Sequence, residues 1–92
     1  MISSADKSAI ATIAARYGAS RMLLFGSSCA PGREGQDIDL AVDGIEPEVF
    51  FRLYGDLMFA LSKPVDLVDL SIPSLFTDMI NRDGAVVYAR TL

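Results

Sequence analysis

Ninety-two residues with 51% apolar side chains can bury one small core, and so apolar a chain is not a disordered one. The net charge of −4 is a poor match for a protein that grips nucleic acid by its phosphates, and no apolar run approaches membrane-spanning length. There is no histidine and a single cysteine, Cys29, which leaves zinc without its usual ligands and rules out an internal disulfide. With no basic-then-apolar signal pattern at the N-terminus, a cytoplasmic protein made of one domain, residues 1–92, is expected.

Taken in chain order, Ser3 and Asp6 have the spacing of a helix-opening capping box. Ile10, Ile13, Ala14 and Tyr17 then recur at helical intervals, and Gly18 closes the element. Arg21 to Phe25 is short and apolar and reads as a strand. The loop from Gly26 to Gln36 holds Pro31, Gly32 and Gly35, which interrupt regular structure. Asp37 to Val42 is a second strand, and Asp43-Gly44 turns the chain. Pro47 opens a second helix that runs to about Ser62. Pro64 to Leu70 is a third strand, Pro73 opens a third helix that ends at Gly84, and Ala85 to Tyr88 is a final strand. The order αββαβαβ implies an α/β (α+β) fold, with a four-stranded mixed sheet and helices on one face. The first two strands are expected to be antiparallel, and the helical crossover favours a parallel or near-neighbour relation between the second and third.

The chemistry concentrates on three acids. On a strand, residues i and i+2 share a face, so Asp37 and Asp39 stand about 6–7 Å apart at their α-carbons. If Ile38 and Leu40 face the helices, these carboxylates face the open side. Val65 and Leu67 on the third strand then make Asp66 join them. Paired carboxylates repel unless a cation lies between them, and Mg²⁺ commonly binds through one or two carboxylates plus substrate phosphates. Gly26-Ser27 just upstream supplies backbone donors and a hydroxyl where a phosphate could rest. Asp69 has the opposite parity and reads as a turn or cap residue.

The run Leu24-Phe25-Gly26-Ser27, nine intervening residues, Asp37-Ile38-Asp39-Leu40-Ala41-Val42, and then Pro64-Val65-Asp66-Leu67-Val68, resembles the polymerase-β-type nucleotidyltransferase superfamily. The chain looks most like its smallest branch, the minimal nucleotidyltransferases. The resemblance implies that Gly26 and Ser27 hold the triphosphate of an incoming nucleotide, with Ser28 and Arg33 of the same loop as further candidates. It implies that Asp37, Asp39 and Asp66 are catalytic and ligate two Mg²⁺ ions, Asp66 also helping to deprotonate the attacking hydroxyl. Two such ions can stabilise both oxygens of an in-line displacement. ATP is the implied substrate and AMP the group transferred. Such domains often act as antitoxins that adenylylate a tyrosine of a helical HEPN-type toxin. The family's Arg-x-Arg-Gly continuation after Gly-Ser is replaced here by Ser28-Cys29-Ala30-Pro31. The alternative is therefore a nucleotidyltransferase-fold binding module, weak or inactive in catalysis, that neutralises a partner by contact.

Plainer readings stand beside these. Asp66 alone could be an exposed strand acid, Ser27 and Ser28 turn residues, Arg33 and Lys63 solvated charges, and Cys29 a passive small residue. On the second helix, Phe50, Leu53, Leu57 and Leu61 form the core stripe. Phe51, Tyr54 and Met58 widen it and Phe59 falls outside it. That pattern fits either tight packing or a partner surface, including a homo-oligomer.

Overall fold

The computed structural model describes residues 2–26 and 37–91. Its elements are α1 (Ser4–Arg16), β1 (Arg21–Leu24), β2 (Ile38–Asp43), α2 (Pro47–Ala60), β3 (Val65–Asp69), α3 (Leu75–Asp83) and β4 (Ala85–Ala89). The strands form one mixed sheet in the spatial order β3-β2-β1-β4. β1 runs antiparallel to β2, with Met22 opposite Val42 and Leu24 opposite Leu40. It also runs antiparallel to β4, with a register irregularity between Met22 and Leu23. β2 and β3 are parallel, as a helical crossover requires, with Ile38 opposite Val65 and Leu40 opposite Leu67.

The helices begin and end for local reasons. The Ser3 side chain accepts a hydrogen bond from the Asp6 backbone N–H at 3.1 Å and caps α1. Pro47 sits in the first turn of α2, where its missing N–H costs nothing. α2 stops at Ala60, two residues short of the expected Ser62, because Leu61 turns extended to keep its side chain in the core. α3 starts at Leu75, two residues later than Pro73 suggests. Ser74 is its cap, in a reciprocal box with Thr77.

The main core lies between one face of the sheet and the α1/α2 layer. Met22, Leu24, Ile38, Leu40, Val42, Val65 and Leu67 meet Ile10, Ile13 and Ala14 of α1 and Leu53 and Leu57 of α2. α3 departs from the expectation of helices on one face. Ile80 packs with Leu23, Ala41 and Leu70, flanked by Phe25 and Val68, and alternation puts Leu23 and Ala41 on the opposite side of the sheet. The physical reason lies in the central strands. Met22-Leu23-Leu24 and Leu40-Ala41-Val42 are continuous apolar runs rather than alternating ones, so their second face also needs cover.

Asp6 is not half of a capping box. Its carboxylate is almost wholly buried and accepts from the Ser62 backbone N–H (3.1 Å) and hydroxyl (2.6 Å). It thereby ties the start of α1 to the end of α2. Near the other end of α1, the Tyr17 hydroxyl donates to Asp56 of α2 at 2.5 Å, and Arg16 pairs with the same carboxylate at 3.0 Å. Asp6→Ala should lower stability by about 1–3 kcal/mol, because a buried carboxylate that accepts two hydrogen bonds from Ser62 would be lost. Urea denaturation measures this, and an unchanged midpoint would show that the clamp contributes nothing.

Candidate active site

The candidate site forms where β1 ends and β2 and β3 begin, on the face turned away from α1 and α2. The β1–β2 pairing continues one step past Leu24, as the Phe25 N–H donates to the Asp39 carbonyl at 3.1 Å. Gly26 follows with φ +62°, a left-handed conformation that side chains resist. A Cβ built there would lie 2.9 Å from Asp39 Oδ2. Glycine is thus required twice over: by its backbone, and by the carboxylate that passes against it.

On the neighbouring strand, Ile38 N–H donates to the Pro64 carbonyl at 2.7 Å, which sets the parallel register. That register puts Asp39 directly opposite Asp66. Asp37 stands just outside β2, one residue before the strand rather than within it, and is exposed. Asp66 is exposed, while Asp39 is half-buried. Burial pushes the Asp39 carboxyl above its ordinary value, and the negative charges of Asp66 and then Asp37 push it the same way. The three acids therefore share one electrostatic environment. Among the described residues, no three His, Cys, Asp or Glu side chains converge closely enough to hold a metal ion by themselves. A hard divalent ion needs less than that, because one or two carboxylates serve when substrate phosphates supply the remaining oxygens.

Ser27, Ser28 and Arg33 lie outside the described residues. Lys63 is half-buried and precedes Pro64, at the same end of the sheet as Asp37. Asp69 is the last residue of β3, and its side chain serves the turn that follows, as expected. Its carboxylate accepts from the Ser71 N–H (2.9 Å) and hydroxyl (2.7 Å) at the far end of β3.

Two contributions to the site have no clear signal in the sequence. Tyr54 of α2 donates its hydroxyl to the Val65 carbonyl at 2.9 Å and so pins the start of β3 one residue before Asp66. Its only trace is that a tyrosine in an apolar arc usually finds a partner for its hydroxyl. Phe76 of α3 meets Phe25 edge-to-face at 5.6 Å. Phe25, Gly26, Met79, Ile80, Asp83 and Gly84 surround a hollow of about 230 Å³ beside the glycine. A larger groove, about 520 Å³, runs between α1 and α2 on the opposite side of the molecule from the acids. The acids rather than the volume mark the place for chemistry.

The family model described as "Polymerase beta, Nucleotidyltransferase" matches residues 8–91, a span that contains the glycine turn, all three acids and every strand. The chain belongs to this nucleotidyltransferase family. No curated protein matches it at a significant level. Among solved structures, a mutant of the toxin-antitoxin MntA-HpeT is similar with a TM-score of 0.73 and 23% identity, covering 92% of this chain and 74% of that one. The toxin-antitoxin MntA-HepT is similar with a TM-score of 0.68 and 24% identity, covering 92% and 71%. A toxin-antitoxin with AMP-PNP gives 0.72 and 25%, covering 92% and 74%. These likenesses place the mixed sheet and its three helices within the nucleotidyltransferase fold. Among the described residues, no helix is long and apolar enough to cross a membrane.

The raised Asp39 carboxyl carries a sign. Between the ordinary carboxylate value and the raised one, the folded protein binds more protons than the unfolded chain, so stability grows as pH falls through that window and is lost as pH rises through the folded value. Asp39→Asn should therefore raise the thermal midpoint at neutral pH, and the gain should shrink as the solution is acidified. Differential scanning calorimetry across pH reads both parts, and a neutral-pH midpoint below that of the unmutated chain would contradict the burial-and-repulsion account.

Proposed function

We propose that this chain is a Mg²⁺-dependent nucleotidyltransferase that moves AMP from ATP onto a hydroxyl of a partner protein. The observation that carries the reading is the alignment of Asp39 with Asp66 beside Gly26, with Asp37 electrostatically coupled to both. The donors are all carboxylate oxygens, which suit a hard cation. A cation bound among them would relieve two of the three causes that raise Asp39, the neighbouring charges of Asp66 and Asp37. Asp37, Asp39 and Asp66 are the residues to hold it. When bound, Mg²⁺ supplies charge neutralisation for the phosphate oxygens and the leaving pyrophosphate.

The chain's own groups do the rest. The left-handed turn at Gly26 lets the backbone approach a phosphate without a side chain in the way. Ser27 and Ser28 add hydroxyl donors and Arg33 a positive charge to the same phosphates. Asp66 accepts the proton of the acceptor hydroxyl. A bond forms from that oxygen to the α-phosphorus, the bond to the β-phosphate bridge breaks, and pyrophosphate leaves. Positioning and charge account for most of the acceleration in such a transfer.

The solved relatives support the biological setting. They are named as toxin-antitoxin structures, one with AMP-PNP and one with two aspartates replaced by glutamate. The acceptor is accordingly read as a tyrosine of a helical HEPN-type toxin, in the cytoplasm. The alternative, a binding module that neutralises the toxin by contact, rests on one feature: Ser28-Cys29-Ala30-Pro31 follows Gly26-Ser27 with no arginine.

Incubation with α-labelled ATP, Mg²⁺ and a purified HEPN-type toxin partner separates the two. Label should move to the toxin, and Asp37→Asn or Asp39→Asn should cut the rate by about 10²–10³-fold, the scale for losing a transition-state charge contact. A tight complex that forms with no label moved would select the binding module. Independently, millimolar Mg²⁺ with a non-hydrolysable ATP analogue should raise the thermal midpoint of the unmutated chain and leave that of Asp39→Asn unmoved. No shift in either would remove the metal-nucleotide site.

A further inference from the structure

On the face that carries the acids, one row of residues crosses the sheet. Asp66 of β3 stands opposite Asp39 of β2, and the Phe25 N–H, bonded to the Asp39 carbonyl, continues the row onto β1. At the usual strand spacing, about 5 Å separates each member of the row from the next. Asp39 thus has a carboxylate on one side and an aromatic residue on the other. Beyond Phe25 the row meets the end of α3. A Cβ built at Gly84 would lie 2.6 Å from the Ile80 carbonyl oxygen and 3.0 Å from that of Leu24, so only glycine lets the last turn of the helix seat this closely on β1.

The hollow of about 230 Å³ lies at this end of the row, and Gly26 forms part of its wall as well as the turn against Asp39. Its character is apolar and aromatic. Phe76 meets Phe25 edge-to-face yet stays 47% exposed, and Met79, one turn further along α3, is 42% exposed. Aromatic rings and a polarisable thioether suit a flat π-system. At the rim, Asp83 pairs with Arg82 at 3.2 Å, but its side chain remains 62% exposed, with carboxylate oxygens that can accept from an amine. An apolar cavity of about 150 Å³ holds a benzene, so this one has room for a fused two-ring base.

We propose that this hollow receives the purine base of the nucleoside triphosphate, a reading that rests on the nucleotidyltransferase function proposed above. In an in-line displacement the attacking oxygen and the leaving pyrophosphate lie on opposite sides of the phosphorus. Asp66, as the proton acceptor, puts the acceptor hydroxyl at the β3 end of the row. The nucleotide then belongs to the β1 end, where Gly26 faces its phosphates and Phe25, Phe76 and Met79 take its ring. Asp83 accepts from the exocyclic amine that adenine carries.

Isothermal titration calorimetry with two probes tests this: Mg²⁺ with AMP-PNP, and Mg²⁺ with inorganic tripolyphosphate, which keeps the phosphates and lacks the base. Met79→Ala and Phe76→Ala should each weaken AMP-PNP by at least about fivefold, the low end of what stacking a base contributes, and leave tripolyphosphate within about twofold. Asp39→Asn should weaken both probes. If Phe76→Ala lowers the thermal midpoint through loss of its contact with Phe25, Met79→Ala decides alone. Variants that bind AMP-PNP as the unmutated chain does, or that lose both probes equally, overturn the proposal and leave the metal–phosphate reading standing. An unmutated chain that binds neither probe removes that reading and the base hollow with it. Unchanged AMP-PNP affinity with a raised KM for the toxin overturns the proposal as well, and assigns the hollow to the acceptor side chain.

Discussion

β2 is not free to choose which way its aspartate points. Ile38, Leu40 and Val42 are each at most 2% exposed, and all three must face the α1/α2 layer. Strand alternation then turns Asp39 to the other side. The same demand from Val65 and Leu67 turns Asp66 to that side on β3, and the parallel pairing sets the two acids opposite each other. A slip of one residue would bury a carboxylate and expose Leu40. Core and candidate site are thus settled by a single choice of register, and the hydrophobic side of it is what makes the acidic side hold.

The arrangement carries a standing strain, since Asp39 is half-buried among like charges. The rest of the fold keeps it in place. Asp6 ties α1 to the end of α2, and Tyr17 with Arg16 ties it again at Asp56. Tyr54 carries the constraint onward from α2 to the first residue of β3. The helical layer is therefore more than cover for apolar residues. It holds the strand that carries Asp66 against the strand that carries Asp39.

The two sides of the sheet divide the work. One has the acids, the glycine turn and an apolar margin from α3, where Phe76 meets Phe25. The other has the helices, whose outward surface bears Phe51, Met58 and Phe59. Exposed apolar side chains on two different elements are what this chain can offer to other molecules.

Much of this was legible in the chain itself. The element order, the antiparallel pairing of the first two strands, the shared face of Asp39 and Asp66, the turn role of Asp69 and the core stripe of α2 all follow from periodicity and turn chemistry. These are local properties, written in the spacing of neighbouring residues. The side taken by α3, the partner of Asp6, the hold of Tyr54 on β3 and the raised Asp39 carboxyl were decided only by tertiary structure. Each depends on which two surfaces meet across a long stretch of chain. Spacing says that a residue will be buried, but not against what, and the energy of a charge or a hydroxyl is set by its actual neighbours.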